Sequence, residues 1–375
     1  MQRFWETVIG PVLDAVQPKI IVEIGSDQGG NTVNLLEFCG RTGATLHVID
    51  PAPKYDASKW QDEHGEHLVF HEDLSLNALP SIEDFDVVLI DGDHNWYTVF
   101  NELQTIERLC DERAREFPLV LLHDVGWPYG RRDLYYDPDS IPEEHRKPHD
   151  KKGMLPGTSD LVEEGGLNRH LNNALHEAGP ENGVLTAVED FLGASRFELD
   201  LLVLPGIHGL GILTPLPLRQ KYPDLERLLG EMDFSPFFVR YVDGVERARL
   251  ELQIHQQTEH RERAGADQLE GKVQEYRQRL AEESHRLREA RHELNLAKRD
   301  VLQLSEWLYD LDADISVLLR SRRWKLSSAA IGLYRKATLK GKEVAVDGAM
   351  EDILRKFRSW HRERTVQDQK CKGNG

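Results

Sequence analysis

The sequence has few cysteines, no long apolar run and no excess of positive charge. Three cysteines in 375 residues give no disulfide framework, which predicts a reducing compartment. No run approaches the roughly 18 apolar residues of a membrane-spanning helix, and residues 1–6 lack a basic start followed by an apolar core. We therefore expect a cytoplasmic protein that is neither secreted by a signal peptide nor integral to a membrane. The formal net charge of −18 disfavours general nucleic-acid binding.

The most informative stretch is residues 20–30, where a short apolar strand ends in an acidic residue and a glycine-rich turn. Its spacing is Glu-x-Gly-x-x-x-Gly, and a helix is predicted to begin near Asn31, after glycines that let the backbone turn tightly. A dinucleotide fingerprint would carry a glycine where this chain has Asp27, which argues against a pyrophosphate and for a cationic ligand. The turn residues predicted to hold that ligand are Glu23, Gly25, Ser26 and Gly29.

Two further acidic residues end the next two predicted strands. Residues 45–50 end in Asp50, about 20 residues beyond the turn, where a ribose diol would sit. Residues 68–73 end in Asp73, which can accept a hydrogen bond from an adenine amino group. The order of these motifs resembles the class I S-adenosylmethionine-dependent methyltransferases, whose first motif is an acidic residue followed by Gly-x-x-x-Gly. The resemblance implies S-adenosylmethionine as the cofactor and a Rossmann-like α/β fold.

Two more hydrophobic strands, residues 85–91 and 119–123, each end in a polar cluster. The carboxyl ends of strands in an open α/β sheet form the ligand crevice, so these clusters are expected beside the glycine turn. Carboxylates next to imidazoles suit a divalent cation, and a histidine three residues after a strand-terminal aspartate suits a general base. The sequence therefore predicts His94 as the base and Asp91, His123 and Asp124 as metal ligands.

These clusters resemble the metal-dependent sugar O-methyltransferases of macrolide biosynthesis, the macrocin O-methyltransferase-like family. That family has Asp-x-x-His after the fourth strand and an acidic pair after the fifth, and this chain has His123 where those relatives carry a glutamate. Since magnesium prefers oxygen ligands and imidazole favours transition metals, either Mg²⁺ or a transition metal is possible. In the alternative interpretation, Asp91 and Asp124 cap helices or bind the methionine end of the cofactor. The resemblance implies transfer of a methyl group to a hydroxyl.

Strands and helices alternate from residue 20 to about residue 124, as expected for a parallel sheet covered by helices. Residues 126–182 are irregular and rich in Pro, Gly and charge, which favours an acceptor-binding lid over a disordered loop. Residues 181–192 are predicted to form a helix, and residues 197–213 a closing antiparallel hairpin, which completes a domain spanning residues 1–242. The candidate acceptor contacts in the lid are Arg131, Arg132, Tyr135 and Tyr136.

Residues 243–318 carry an apolar heptad. One heptad position holds Val273, Leu280, Leu287, Leu294, Val301, Leu308 and Ile315, and the other holds Leu269, Tyr276, Ala290, Ala297, Leu304, Leu311 and Leu318. Alternating steps of three and four residues over this length predict a coiled coil and hence a homo-oligomer. The alternative is a single helix folded back on the catalytic domain.

Residues 319–375 form a basic tail in which no acid appears between Asp314 and Glu343. Basic residues interleaved with Trp, Tyr, Ile and Leu suit an anionic membrane surface, with an acidic protein partner as the alternative. The composition also resembles the tails that follow coiled coils in bacterial polysaccharide-modifying enzymes. That resemblance implies a sugar acceptor in a cell-surface glycan made at the inner face of a membrane. A small natural-product acceptor and a non-catalytic coiled-coil scaffold are the other two hypotheses.

Overall fold

The computed structural model describes residues 1–338, 350–360 and 362, and the chain divides into two compact units, Met1–Ala266 and Asp267–Gly375. The first unit contains a seven-stranded sheet in the order β3-β2-β1-β4-β5-β10-β9. Its strands are β1 (Ile20–Ile24), β2 (Thr45–Ile49), β3 (Leu68–His71), β4 (Val87–Ile90), β5 (Leu119–His123), β9 (Leu199–Leu204) and β10 (Leu210–Pro215). Strands β1 to β5 are parallel, whereas β10 pairs antiparallel with both β5 and β9.

The helices of the first unit lie between and after these strands. They are α1 (Gly10–Val16), α2 (Gly30–Thr42), α3 (Ala57–His64), α4 (Ser75–Ala78), α5 (Trp96–Glu112), α6 (Val184–Ala194), α7 (Leu216–Lys221) and α8 (Pro223–Met232). A π-helical turn at Trp5–Ile9 precedes α1, and 3-10 turns occur at Gln2–Phe4, Leu79–Ser81, Pro138–Ser140 and Glu143–His145. The helix predicted near Asn31 is α2, which begins one residue earlier.

The core consists of two apolar layers, one on each face of the sheet. One layer packs α1, α2 and α8 against the sheet through residues such as Leu13, Leu35 and Leu225. The other packs α5 and α6 through residues such as Leu103 and Phe191. Strands β1, β4 and β5 are buried along nearly their whole length because both of their faces are covered. The predicted Rossmann-like α/β sheet with a closing antiparallel hairpin is confirmed.

The predicted lid, residues 126–182, contains a small three-stranded sheet in the order β6-β8-β7. Its strands are β6 (Leu134–Tyr135), β7 (His149–Asp150) and β8 (Asn172–Ala174), and their pairing is antiparallel. Tyr129, Leu134 and Met154 form a separate apolar cluster under it. The segment that lacks periodicity in sequence therefore has its own small core.

Helix α9 runs from Pro236 to Arg320 and contains the last residues of the first unit and the first residues of the second. It begins before residue 243, where the coiled coil was predicted to start, and the long helix is continuous through the predicted heptad. The second unit also contains α10 (Arg322–Thr338) and a helical segment at 350–360. Residues 339–349, 361 and 363–375 of the predicted tail lie outside the described residues. Within the described part of the chain, no helix is both long and apolar enough to cross a membrane.

Candidate active site

The strand register brings the predicted site residues to one edge of the sheet. Ile24 pairs with Ile49 on one side and with Ile90 on the other, and Ile90 pairs in turn with Leu122. Because these strands are parallel and end level, the residues that follow them meet at their carboxyl ends. The residues brought together there are Gly25, Asp50, Asp91 and His123.

The glycine turn after β1 depends on the two glycines of the motif. Gly25 has φ +85° and Gly29 has φ +76°, a left-handed conformation that disfavours other residues. A Cβ atom on Gly25 would lie 2.4 Å from the Asp91 carbonyl oxygen, and one on Gly29 would lie 2.4 Å from the Trp60 ring. Only glycine therefore fits at these two positions, because the turn lies too close to neighbouring groups to leave room for a side chain.

Asp50 organises this turn. One carboxylate oxygen accepts hydrogen bonds from the Ser26 amide at 2.8 Å, the Ser26 hydroxyl at 2.8 Å and the Asp27 amide at 3.0 Å, and the other accepts from the Ala52 amide at 2.9 Å. Tyr55 donates in turn to the Ser26 hydroxyl at 3.0 Å. The structure thus gives Asp50 and Ser26 a role in shaping the turn, while their contact with a ribose stays a prediction.

Glu23 is buried and faces the start of α2. Its two oxygens accept hydrogen bonds from the Asn31 amide group at 2.8 Å and the Thr32 hydroxyl at 2.6 Å. Burial raises the pKa of the Glu23 carboxyl to about 7, against the opposing effect of these two hydrogen bonds. Asp73 lies on the surface, where it accepts hydrogen bonds from the Leu74 amide and the Asn77 side chain. The predicted ligand contacts of both residues stay predictions.

The cluster after β4 and β5 consists of two aspartates and two histidines. His123 Nδ1 lies 3.0 Å from Asp91 Oδ1 and 2.9 Å from Asp124 Oδ2. Each of Asp91, His123 and Asp124 offers one ligand atom, and these atoms all lie within 4.8 Å of one another. His94 Nε2 lies 3.3 Å from Asp124 Oδ2 and 3.7 Å from Asp91 Oδ1. The four residues that sequence assigned to metal and base chemistry therefore lie together.

Opposite charges dominate the protonation of this cluster. Burial lowers the pKa of His123, but the carboxylates of Asp91 and Asp124 outweigh it and raise that pKa to about 10. Burial raises the pKa of Asp124, but His94 and His123 outweigh it and lower that pKa to about 2. Burial likewise lowers the pKa of His94, while Asp124 and Asp91 raise it further than burial lowers it. The carboxylates are therefore ionised and paired with the two histidines.

His94 is buried beneath the lid. Within the described residues, neither of its ring nitrogens makes a hydrogen bond of good geometry. Its ring lies 5.5 Å from the Tyr129 ring and 5.9 Å from the Tyr136 ring, measured between centroids. A buried imidazole that contacts two ionised carboxylates and has nitrogens left over can still bond to a ligand. The general-base role stays a prediction.

The four lid residues proposed to contact the acceptor differ in their surroundings. The Arg132 side chain is buried and donates to the backbone carbonyls of Ala174 and Ser159, each at 2.5 Å. Tyr135 is buried and donates to Asp133 at 2.7 Å. Arg131 pairs with Glu189, with two hydrogen bonds at 2.5 and 2.7 Å.

These contacts give three of the four lid residues partners inside the protein. Only Tyr136 lies beside His94 with an exposed side chain, since 56% of its surface is accessible. Of the four predicted acceptor contacts, Tyr136 is thus the one that the geometry favours. The acceptor roles of all four stay predictions.

Three contacts to the cluster come from segments that the sequence does not mark as part of the site. The Met1 amino group donates to Asp91 Oδ2 at 2.7 Å, and the Phe4 ring stands edge-on to His123 at 6.0 Å between centroids. From the β9–β10 turn, the Ile207 carbonyl accepts from His123 Nε2 at 3.2 Å. Nothing in the sequence of residues 1–9 indicates that this segment contacts the cluster. Pro205, Gly206 and Gly209, in contrast, mark a tight turn at the end of a strand.

A further buried acid, Glu102, lies on α5 behind the cluster. Its side chain is fully buried, and burial raises its carboxyl pKa to about 8, with Asp93 adding to the shift. Glu102 is therefore neutral over most of the physiological pH range. No motif marked it, because a glutamate in an amphipathic helix ordinarily faces solvent.

Residues 22–125 match the model of a family described as a methyltransferase domain. This match covers the end of β1, all of β2 to β5 and both polar clusters, and it confirms the prediction of a methyltransferase. No curated protein sequence matches the chain.

Solved structures with a similar fold include three methyltransferases. The S-adenosylhomocysteine-bound methyltransferase PaMTH1 of Podospora anserina is 17% identical over 55% of this chain and 76% of that chain, with a TM-score of 0.33. The 1,6-didemethyltoxoflavin-N1-methyltransferase of Burkholderia thailandensis is 15% identical over 57% of this chain and 81% of that chain, with a TM-score of 0.31. Human N-acetylserotonin methyltransferase is 16% identical over 57% of this chain and 53% of that chain, with a TM-score of 0.32.

Proposed function

We propose that this protein transfers a methyl group from S-adenosylmethionine to a hydroxyl of a sugar. The observation that carries the proposal is the cluster of Asp91, His94, His123 and Asp124 at the sheet edge, directly beside the turn at Gly25. S-adenosylmethionine supplies an electrophilic methyl group on a positively charged sulfur when it is bound. The turn carries Asp27 where a dinucleotide fingerprint has its middle glycine, which favours such a cation over a pyrophosphate.

The glycine turn fits the nucleoside part of this cofactor. Gly25 and Gly29 keep side chains out of the turn, and Asp50 holds the Ser26 and Asp27 amides in place. We assign the ribose contact to Asp50, the adenine contact to Asp73 and support of the turn to Glu23. Asp91 borders both the turn and the cluster, and we assign it to the methionine end of the cofactor as well as to a metal.

The donor set fits a divalent cation. Asp91, His123 and Asp124 combine two carboxylates with one imidazole, which suits a transition metal better than Mg²⁺. The Ile207 carbonyl can only accept a hydrogen bond, so His123 Nε2 carries a proton and Nδ1 is the nitrogen turned toward the carboxylates. A cation there would lower the pKa of a bound hydroxyl. It would also neutralise the carboxylates that raise the pKa of His94.

His94 is the group we assign to take the proton from the acceptor hydroxyl. Its imidazole is buried, lies within 3.3 Å of Asp124 and has ring nitrogens without a well-aligned partner. Tyr129 and Tyr136 border it from the lid, on the side where we place the acceptor. The chain positions the hydroxyl and accepts its proton, and no covalent enzyme intermediate is required.

A glycan acceptor is the finer part of the proposal. It is supported by the ordered lid with the exposed Tyr136 next to His94, and by the basic C-terminal tail. A natural-product hydroxyl would use the same chemistry. A purely structural role for the domain is disfavoured because the charged cluster is assembled at the cost of burying several ionised groups.

A transfer assay tests the proposed reaction. Methyl-labelled S-adenosylmethionine is incubated with the protein and a panel of glycans, lipid-linked sugars and small phenolic or polyketide alcohols, before and after metal removal by a chelator. The proposal expects label in a sugar hydroxyl and loss of transfer after chelation. Transfer to small alcohols only would refute the glycan acceptor, and full activity after metal removal would refute the metal.

We also propose that α9 joins copies of this chain through its heptad. Its apolar side chains are exposed in the single chain, as for Leu280 and Leu287, which are 69% and 72% accessible. The same heptad position holds Ala266 and Glu259 upstream of Val273, and before them the exposed residues Leu252, Val245 and Phe238. Such a stripe can bury its surface only against another helix.

Matched substitutions test this assembly. Leu287→Glu puts a charge in the heptad, whereas Leu302→Glu puts the same charge at an exposed position outside it. The proposal expects the intact protein and Leu302→Glu to have a mass that is a multiple of 43.0 kDa by light scattering, and Leu287→Glu to dissociate. A monomeric intact protein would refute it.

The basic tail is our proposed contact with an anionic membrane surface. In the second unit, a cleft of about 680 Å³ is lined mainly by basic and a few acidic residues. The basic residues lining it are Arg320, Lys325, Arg355, Arg358 and Arg362. Vesicles containing phosphatidylserine should sediment the protein at low salt and release it at high salt, because ions screen this attraction. Equal sedimentation with neutral vesicles would refute the membrane contact.

A further inference from the structure

The turn between β9 and β10 contacts the metal cluster through one backbone carbonyl. The Ile207 oxygen lies 3.2 Å from His123 Nε2, and the opposite ring nitrogen faces Asp91 and Asp124. Histidine ligands in metal sites are commonly oriented by such a second hydrogen bond, which fixes both the tautomer and the ring plane. The position of His123 therefore depends on the position of this turn.

The turn is held in a conformation that its residues disfavour. Ile207 has φ +50° and His208 has φ +67°, so two consecutive residues with side chains occupy the left-handed region. A β-branched residue is particularly disfavoured there. Gly206 and Gly209 on either side also have positive φ, at +90° and +82°. Such a conformation persists only where surrounding contacts enforce it.

One side of the turn is held by the end of β5 and the residues after it. The Gly126 amide donates to the His208 carbonyl at 2.6 Å, and His208 Nδ1 lies 3.1 Å from the Trp127 carbonyl. A Cβ atom on Gly126 would lie 2.7 Å from that His208 oxygen, so the two backbones are in close contact.

The other side is held by a single acid in the first turns of α9. Glu246 Oε1 accepts from the His208 amide at 3.1 Å. Arg249 fixes the same carboxylate with hydrogen bonds of 2.7 Å to each of its oxygens. The Glu246 side chain is only 13% exposed, and Leu250 one turn later is 2% exposed, so this part of α9 is packed against the domain.

We infer that Glu246 is a positioning residue for the metal cluster: it holds the Ile207–His208 turn, whose Ile207 carbonyl orients His123. This inference rests on the proposed metal-dependent function. It extends the functional methyltransferase unit past residue 242, where the sequence placed its end, to at least Leu250. The long helix then has two roles, since its first turns support the site and its later turns carry the heptad.

Calorimetric titration of the full-length protein with Co²⁺ tests the inference, because Co²⁺ accepts mixed carboxylate and imidazole ligands. Glu246→Ala is expected to weaken Co²⁺ binding about 10- to 100-fold, as loss of a group that orients a ligand does. Glu246→Gln keeps an oxygen that can accept from the His208 amide, and it is expected to restore affinity to within about threefold of the unmodified protein.

Glu251→Ala is the matched control. Glu251 lies on the same helix and pairs with Arg247 at 3.1 Å, but it is exposed and makes no contact with the turn. This variant is expected to bind Co²⁺ like the unmodified protein. S-adenosylmethionine affinity, measured in parallel, should be the same in all variants, which separates a local change at His123 from general damage.

Glu246→Ala with the Co²⁺ affinity of Glu251→Ala would overturn the inference while leaving the proposed function intact. If Glu246→Ala does not fold, Arg249→Ala replaces it, since this change frees the carboxylate from its partner without removing it. Unchanged Co²⁺ affinity in Arg249→Ala would then overturn the inference. An unmodified protein that binds no Co²⁺ would refute the metal-dependent function itself, and the inference with it.

Discussion

Replacing Gly25 with alanine tests the contact between the glycine turn and Asp91. At φ +85° an alanine is strained by about 1–2 kcal/mol in the left-handed region. Its Cβ would also lie 2.4 Å from the Asp91 carbonyl oxygen and 2.5 Å from the Gly92 Cα, both backbone atoms that cannot swing aside. Overpacking of this kind costs about 1–3 kcal/mol more.

Gly43→Ala is the matched control for this change. Gly43 has φ +76°, but no atom lies within 4 Å of its Cβ position, so only the backbone strain applies. Each kcal/mol lowers the melting temperature by roughly 2–4 °C in a domain of this size. Gly25→Ala should therefore have a lower melting temperature than Gly43→Ala, by roughly 2–4 °C for each kcal/mol that the steric clash costs.

Calorimetry on the folded variants completes the test. S-adenosylmethionine should bind normally to Gly43→Ala and should not bind measurably to Gly25→Ala, because the clash displaces the strand end that carries Asp91. If the two variants have the same melting temperature and bind S-adenosylmethionine equally well, the turn is not packed against Asp91 as described and the assigned binding site is wrong.

Three other predictions concern the chemistry and the buried acids. His94→Ala should lower turnover by roughly 100-fold or more with little change in S-adenosylmethionine affinity, since a general base acts on the acceptor; equal losses in both would contradict that role. Asp124→Asn should match the chelated enzyme in a transfer assay, and a fully active variant would contradict metal binding there. Glu102 has a native pKa of about 8, raised from 4.5, so the native state holds the extra proton and stability should fall as pH rises between these values. The decline in the free energy of unfolding amounts to at most about 1.4 kcal/mol per pH unit. Thermal melts of Glu102→Gln at several pH values should lack it. The same pH dependence in Glu102→Gln and in the unmodified protein would contradict the raised pKa of Glu102.

The sheet and its polar edge were predictable because their causes are local in sequence. Buried parallel strands are continuous apolar runs, and each strand here ends at the polar residue or glycine that the ligand edge requires. In an open α/β sheet the residues after the parallel strands meet at a common edge, and the order β1-β4-β5 places Gly25, Asp91 and His123 side by side there. The closing hairpin is recognisable for the same reason, from two apolar runs separated by Pro205, Gly206 and Gly209.

The contacts around that edge were not predictable because they depend on segments distant in sequence. Arg132 was predicted as a candidate acceptor contact because the long irregular segment that carries it directly follows a strand bearing site residues. Its burial against the carbonyls of Ala174 and Ser159 follows only from the small sheet of the lid. Glu246 lies in a helix with many charged residues, and the sequence does not distinguish it from the other glutamates of that helix. No pattern reveals which of them turns toward the domain.

The most direct test of the central claim is calorimetric titration of the unmodified protein with S-adenosylmethionine and, separately, with NAD. The turn at residues 20–30 lacks the central glycine of a dinucleotide fingerprint, and its Gly25 lies against the Asp91 backbone. S-adenosylmethionine should therefore bind at one site per chain, and NAD should give no heat of binding. Tight binding of NAD with no response to S-adenosylmethionine would contradict the account.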